Sequence, residues 1–108
     1  MKETYTYRVK SFRVVDGDTI VAALDLGFHL TWEARFRLSG IDAPEASTEP
    51  GRASSEALKR LLGGAPALYL TSRRVEKYGR WLAQIFTDTG ESINGRMIAD
   101  GYAKVYED

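Results

Sequence analysis

The chain contains no cysteine, which excludes disulfides and thiolate metal sites and leaves the redox compartment open. Histidine occurs once, as His29, beside a turn between Phe28 and Leu30 and without a partner motif. It reads as structural or exposed rather than catalytic. Net charge is missing too, because 15 basic and 15 acidic residues cancel. The long-range positive field that would favour a polyanion is therefore absent, and any nucleic-acid contact must come from a local patch. No apolar run is long enough to span a bilayer. The start, Met1-Lys2-Glu3-Thr4-Tyr5, lacks the apolar block of a secretory signal. A soluble chain is expected, either cytoplasmic or secreted with its signal removed. Ser54 and Ser55 have neither a base nor a nucleophile elbow around them, which argues against a serine nucleophile.

What the chain does contain suits one folded domain over residues 1–108 with one core. Apolar residues make up 44%, and six tyrosines, four phenylalanines and two tryptophans can supply much of the buried area. No repeat, low-complexity tract or internal linker is visible. Arg73, Arg74, Lys77 and Arg80 form the densest basic run, which by itself reads as a solvated loop.

Residues 5–15 are rich in β-branched and aromatic types and read as a strand, closed by the hairpin-type turn Asp16-Gly17. Residues 19–26 read as a second strand and residues 30–38 as a third, with Gly27 turning the chain between them. In the third, Trp32, Ala34, Phe36 and Leu38 alternate with Glu33, Arg35 and Arg37, so Arg35 and Arg37 share the face opposite the apolar set. Ser47-Thr48 followed by Pro50 opens a helix. Its apolar stripe is Ala53, Ala57, Leu58, Leu61 and Leu62, and Gly63-Gly64 stops it. Residues 67–71 and 81–86 read as the fourth and fifth strands, with 73–79 a polar loop between them. Ser92 caps a short helix through Ala99, ended by Gly101, and residues 102–106 form a final extended piece. Met97 and Ile98 read as core, and Trp32 and Trp81 as core or barrel-rim packing, although Trp81 follows Arg80 and is a second choice for a cleft residue. The order β-β-β-α-β-β-α predicts a mainly β, α+β fold. The expected architecture is a five-stranded OB-type Greek-key barrel with a helix between strands three and four and a short second helix.

The chemistry-bearing residues gather in turn-rich segments. Asp18 follows a tight turn, and Asp42 and Glu45 flank Ala43-Pro44, where proline bars a regular ladder and aims the backbone. Taken singly, Asp18 reads as a turn residue bonding its own backbone, and Arg37 and Arg80 as surface strand residues. Together, carboxylates suit a hard cation and guanidiniums suit a phosphate, so the set points to both groups closing on one phosphate.

The segments Val15-Asp16-Gly17-Asp18-Thr19, Phe36 through Glu45 and Glu76-Lys77-Tyr78-Gly79-Arg80 resemble the three signature blocks of the staphylococcal nuclease (thermonuclease) family. The stretch from Ser92 to Val105 resembles that family's later helix and strand. The similarity runs over residues 8–106, and the second block is its most specific part. The resemblance implies an OB-type barrel that hydrolyses DNA and RNA phosphodiesters with Ca2+ and leaves a 3′-phosphate. It assigns Asp18, Asp42 and the Ala43 carbonyl to the metal, and Glu45 to the attacking water as general base or water-positioner. It assigns Arg37 and Arg80 to the phosphoryl oxygens, and Lys77 and Tyr78 to the nucleotide's phosphate end. Tyr106 takes the place of a base-stacking tyrosine.

The expected partners are DNA and RNA, single-stranded or frayed, with no membrane, and the expected state is a monomer. Several departures stand out. Ala43 replaces a hydroxyl residue, the loop after Glu45 is short, the charge is neutral, and the family's usual C-terminal helix is expected to be missing. Two rivals remain at this point. One is a catalytically weak nucleic-acid-binding OB module, and the other is a regulatory interaction domain of a larger assembly.

Overall fold

The computed structural model describes residues 5–75 and 80–107. Lys77 and Tyr78 lie outside these described residues. In chain order the elements are β1 (Thr6–Asp16), β2 (Thr19–Gly27), β3 (Leu30–Leu38), β4 (Ile41–Asp42), α1 (Glu49–Gly63), β5 (Leu68–Val75), β6 (Trp81–Thr87), α2 (Ile93–Ala99) and β7 (Lys104–Val105). Five strands close into a barrel in the order β1-β2-β3-β6-β5, while β4 pairs with β7 as a separate two-stranded ladder. This is the expected OB-type α+β barrel, with α1 between its third and fourth strands. Two segments differ from the sequence reading: the short strand β4 is not anticipated there, and the fourth barrel strand continues to Val75 instead of ending at Thr71. Its ladder with β6 resumes at Val75↔Trp81 after an irregularity, which carries the strand into the stretch read as loop.

The first three strands form a meander whose turns are encoded locally. The Asp18 N–H donates to Asp16 Oδ1 at 3.1 Å, an aspartate bonding the backbone two residues on. At the second turn the Gly27 N–H donates to Asp25 Oδ1 at 2.8 Å, and Phe28 and His29 both take positive φ, at 56° and 62°. The barrel then closes through a short seam. β3 runs parallel to β6 only over Phe36–Leu38 with Trp81–Ala83.

Helix α1 begins where the sequence signals predict. The Thr48 side chain caps it by accepting from the Gly51 N–H, and proline sits in the first turn. Its buried residues Ser54, Ala57, Leu58 and Leu62 recur at helical spacing. Ala57, Leu58 and Leu62 join Ile20, Leu24, Phe36, Leu38, Leu70 and Ile85 of the barrel, and Ile93 and Met97 of α2, in one buried cluster. Each such aliphatic or aromatic side chain contributes about 1.5–3 kcal/mol on burial.

Asn94 ties α2 to the barrel. Its Nδ2 donates to the carbonyls of Ser39 and Ala83, both at 2.9 Å, and its Oδ1 accepts from the Ile85 N–H at 3.1 Å. The residue is 3% exposed, so Asn94→Ala removes three hydrogen bonds to buried backbone groups, although the Ala83 carbonyl keeps the Ser39 N–H. Each lost hydrogen bond costs about 0.5–1.5 kcal/mol. Asn94→Ala is expected to lower unfolding stability by about 3 kcal/mol in urea melts, and a loss below about 1 kcal/mol would contradict this account.

Candidate active site

Asp18 leaves the first turn and points into the protein, at 9% exposure. Its Oδ1 accepts from the Thr19 hydroxyl at 2.9 Å and its Oδ2 from the Ala43 N–H at 2.9 Å. Burial pushes its carboxyl above the ordinary aspartate value, and the hydrogen bond to Asp16 adds to the shift. The Ala43 N–H opposes these effects, as does the Thr19 hydroxyl.

Arg37 lies beside it. The period-two reading placed Arg37 with Arg35 on a polar face, and the structure adds a cover over Arg37: Arg35 is exposed, whereas Arg37 is 7% exposed. Its Nη1 donates to the Ile41 carbonyl at 3.3 Å. Its Nη2 donates to Asp42 Oδ1 at 3.4 Å and lies 3.8 Å from Asp18 Oδ2. One guanidinium nitrogen thus faces two carboxylates from different turns. The Tyr106 ring completes the cover, with the guanidinium carbon 4.8 Å from its centroid, a cation–π distance. The Tyr106 N–H donates to the Gly40 carbonyl at 2.9 Å, and Gly40 has φ +81°. That left-handed turn swings the chain from β3 back towards Arg37.

The loop carrying Glu45 is fixed from behind. The Glu45 carbonyl accepts from the Thr48 N–H at 3.0 Å and from the Thr48 hydroxyl at 2.6 Å, so the residue that caps α1 also anchors the loop. Gly51 lets the helix approach, since a Cβ there would collide with the Glu45 carbonyl group. Gly17 does the same for the first turn, where a Cβ would collide with the Ser54 hydroxyl and come within 2.8 Å of the Ala43 Cβ. The first turn, the Ala43 loop and α1 therefore meet side by side. The Glu45 side chain itself is exposed, on a cleft of ≈ 490 Å³ whose lining includes Asp42, Ala43, Pro44, Glu45, Tyr102 and Lys104.

Of the residues named from sequence, Asp18, Arg37, Asp42 and Ala43 come together directly. Glu45 and Tyr106 flank them. Arg80 stands half-buried at the start of β6, one residue before Trp81, the register partner of Phe36. Sequence reasoning did not single out Gly51, the Thr19 hydroxyl or Asn94. The helix start read at Ser47-Thr48 before Pro50 was the one pointer to how the loop is anchored.

The donor chemistry fits a hard divalent cation. Two carboxylates converge from separate turns on one guanidinium nitrogen, one of them buried, and the Ala43 peptide lies against it. Among the described residues no cluster of three or more carboxylate or imidazole groups forms. Any cation held here would therefore complete its shell from water, backbone or substrate oxygens.

The fold defines an OB-type barrel protein. Residues 35–108 match the family described as Staphylococcal nuclease homologue, and the chain belongs to that family. It is 37% identical over 95 residues to an "Uncharacterized endonuclease" of Escherichia coli O157:H7, covering 88% of this chain and 58% of that protein. The same figures hold for a protein of that name from Escherichia coli. It is 32% identical over 107 residues to "Endonuclease YhcR" of Bacillus subtilis (strain 168), covering 87% of this chain but 8% of that protein. The chain thus spans little more than half of the E. coli relatives and a small part of the Bacillus one.

Proposed function

We propose that this domain is a calcium-dependent, sugar-non-specific endonuclease that hydrolyses DNA and RNA phosphodiesters by in-line water attack and leaves 3′-phosphate ends. The observation that carries this reading is the single Arg37 nitrogen shared between Asp18 and Asp42. A phosphate brought to that point meets a fixed guanidinium and a carboxylate pair suited to a cation. Family membership and the endonuclease names of its relatives support the same class.

Asp18, Asp42 and the Ala43 carbonyl would hold the calcium. When bound, it supplies Lewis-acid polarisation of a phosphoryl oxygen and orients water. Arg37 grips the equatorial oxygens and stabilises charge that grows on them. Arg80, just before β6, would do the same. Glu45, exposed on the cleft wall, takes or orients the proton of the attacking water. Lys77 and Tyr78 bind the phosphate end, and Tyr106 offers a ring to the adjoining base. The acting unit is a monomer on single-stranded or frayed nucleic acid. With a neutral chain, non-specific affinity is weaker and less salt-sensitive than for a basic one.

The test is digestion of plasmid DNA and RNA with calcium and with chelator, paired with calorimetric calcium titration of the wild type and Asp18→Ala. Calcium-dependent cleavage is expected, and Asp18→Ala should lose both calcium binding and cleavage. A folded wild type that cuts nothing, or calcium binding unchanged in Asp18→Ala, would reject the proposal.

A further inference from the structure

Two exposed arginines lie on the outer face of the meander. Val14, Ile20 and Phe36 are register partners across β1, β2 and β3, and Ile20 and Phe36 belong to the buried cluster. The alternate positions of these strands therefore face outward. Arg37 lies on that outer side, opposite Thr19. One row further along, Arg13 pairs with Val21 and Val21 with Arg35. Directly paired residues share a face, so Arg13 and Arg35 stand on the same side as Arg37. Both are exposed, and Val21 between them is half-buried. Among the described residues neither arginine is paired with a carboxylate. The next row is Ser11, Ala23 and Glu33, so an acid closes the far end of the cationic stretch. At the near end Asp16 Oδ1 is engaged by the Asp18 N–H.

The spacing suits a polyanion strand. Arg35 and Arg37 are two residues apart on one strand, about 7 Å along it, close to one step between phosphates of an extended polynucleotide. Arg13 is two strand spacings from Arg35, about 10 Å, so the two guanidiniums can converge on one anion over Val21. A guanidinium gives a phosphate two parallel hydrogen bonds and keeps its charge at any working pH. The chain as a whole is neutral, with 15 basic and 15 acidic residues, so attraction to a polyanion has to be local. We propose that Arg13 and Arg35 form a second phosphate subsite, which takes the phosphate next to the one held at Arg37. Glu33 repels a further one, so the subsite holds a single phosphate. The inference takes its ligand class from the nuclease reading.

The test is binding in chelator, so that nothing is cut. A labelled oligothymidylate is titrated at several salt concentrations with the wild type and with Arg13→Gln/Arg35→Gln. The variant should bind about fivefold more weakly at low salt, and its log–log salt slope should fall by about 0.7, the value for one phosphate of a single strand. Lys59→Gln/Arg96→Gln removes the same charge from α1 and α2 and should keep the wild-type slope. Circular dichroism and urea melts confirm that both variants fold, as exposed substitutions should. In calcium, the arginine variant should cut the same oligomer with a raised KM and an unchanged kcat. Its cleavage of dithymidylate, which has one phosphate to offer, should match the wild type. An unchanged slope in the arginine variant, or an equal fall in the helix control, overturns the proposal. Weakened, less salt-sensitive binding without any cleavage keeps the subsite and rejects the nuclease reading. Cleavage with an unchanged KM for the oligomer removes the subsite alone.

Discussion

Arg37→Lys is expected to lower cleavage by about 10²–10³-fold, the usual cost of removing one preorganised donor to a developing anion. The positive charge survives this change and the fork does not. In the wild type one nitrogen holds the Ile41 carbonyl while another faces Asp42 and Asp18. An ammonium is a point charge on a flexible stem and cannot span both positions while presenting an edge to phosphate. The lost hydrogen bonds should also cost about 1.5–3 kcal/mol of stability. Arg37→Ala should cost about 3 kcal/mol, the lower end for breaking a buried pair, because the Asp42 side chain is 37% exposed and water offsets part of the loss. Initial rates on a short oligonucleotide, measured beside urea melts, separate the two effects. A lysine variant with wild-type rates would remove Arg37 from the chemistry.

Glu45→Gln should show the opposite balance, with a large kinetic effect and almost no structural one. The backbone of Glu45 is held by Thr48, but its side chain is exposed, and glutamine matches it in shape. Stability should stay within about 0.5 kcal/mol of wild type, as for an exposed substitution away from any buried contact. Cleavage should fall by about 10²–10⁴-fold, the range for a general base. The calcium affinity proposed for Asp18 and Asp42 should be unchanged. If the rate falls less than about tenfold, the water is activated elsewhere.

The parts of the fold that could be read from sequence are those written locally. Asp16-Gly17 announces its turn, Ser47-Thr48 before Pro50 announces a helix start, Ser92 announces its cap, and the alternation in β3 announces a strand whose bounds are those observed. The site was legible to the extent that its residues cluster in two such turns. The remainder depends on contacts between distant segments. A two-residue ladder such as β4 with β7 has no periodicity to detect, yet it brings Tyr106 over Arg37. Nothing in the spacing of Gly51 says that a carbonyl six residues earlier packs on it. Alternation assigns a face to Trp32 and Arg37 but not what covers that face. This is why an "inward" tryptophan ends exposed and an "outward" arginine ends buried.

The seam between β3 and β6 has a consequence for how the molecule comes apart. The meander joins neighbours through tight turns and needs little chain entropy to form, whereas residues 36–38 must find residues 81–83 across a long loop. Three rungs of parallel ladder hold that closure. Hydrogen exchange should therefore be fastest along this line and slowest in the β1–β2–β3 amides. Arg37 sits on one lip and Arg80 next to the other, so the proposed site would be lost in a partial opening that leaves most of the barrel intact.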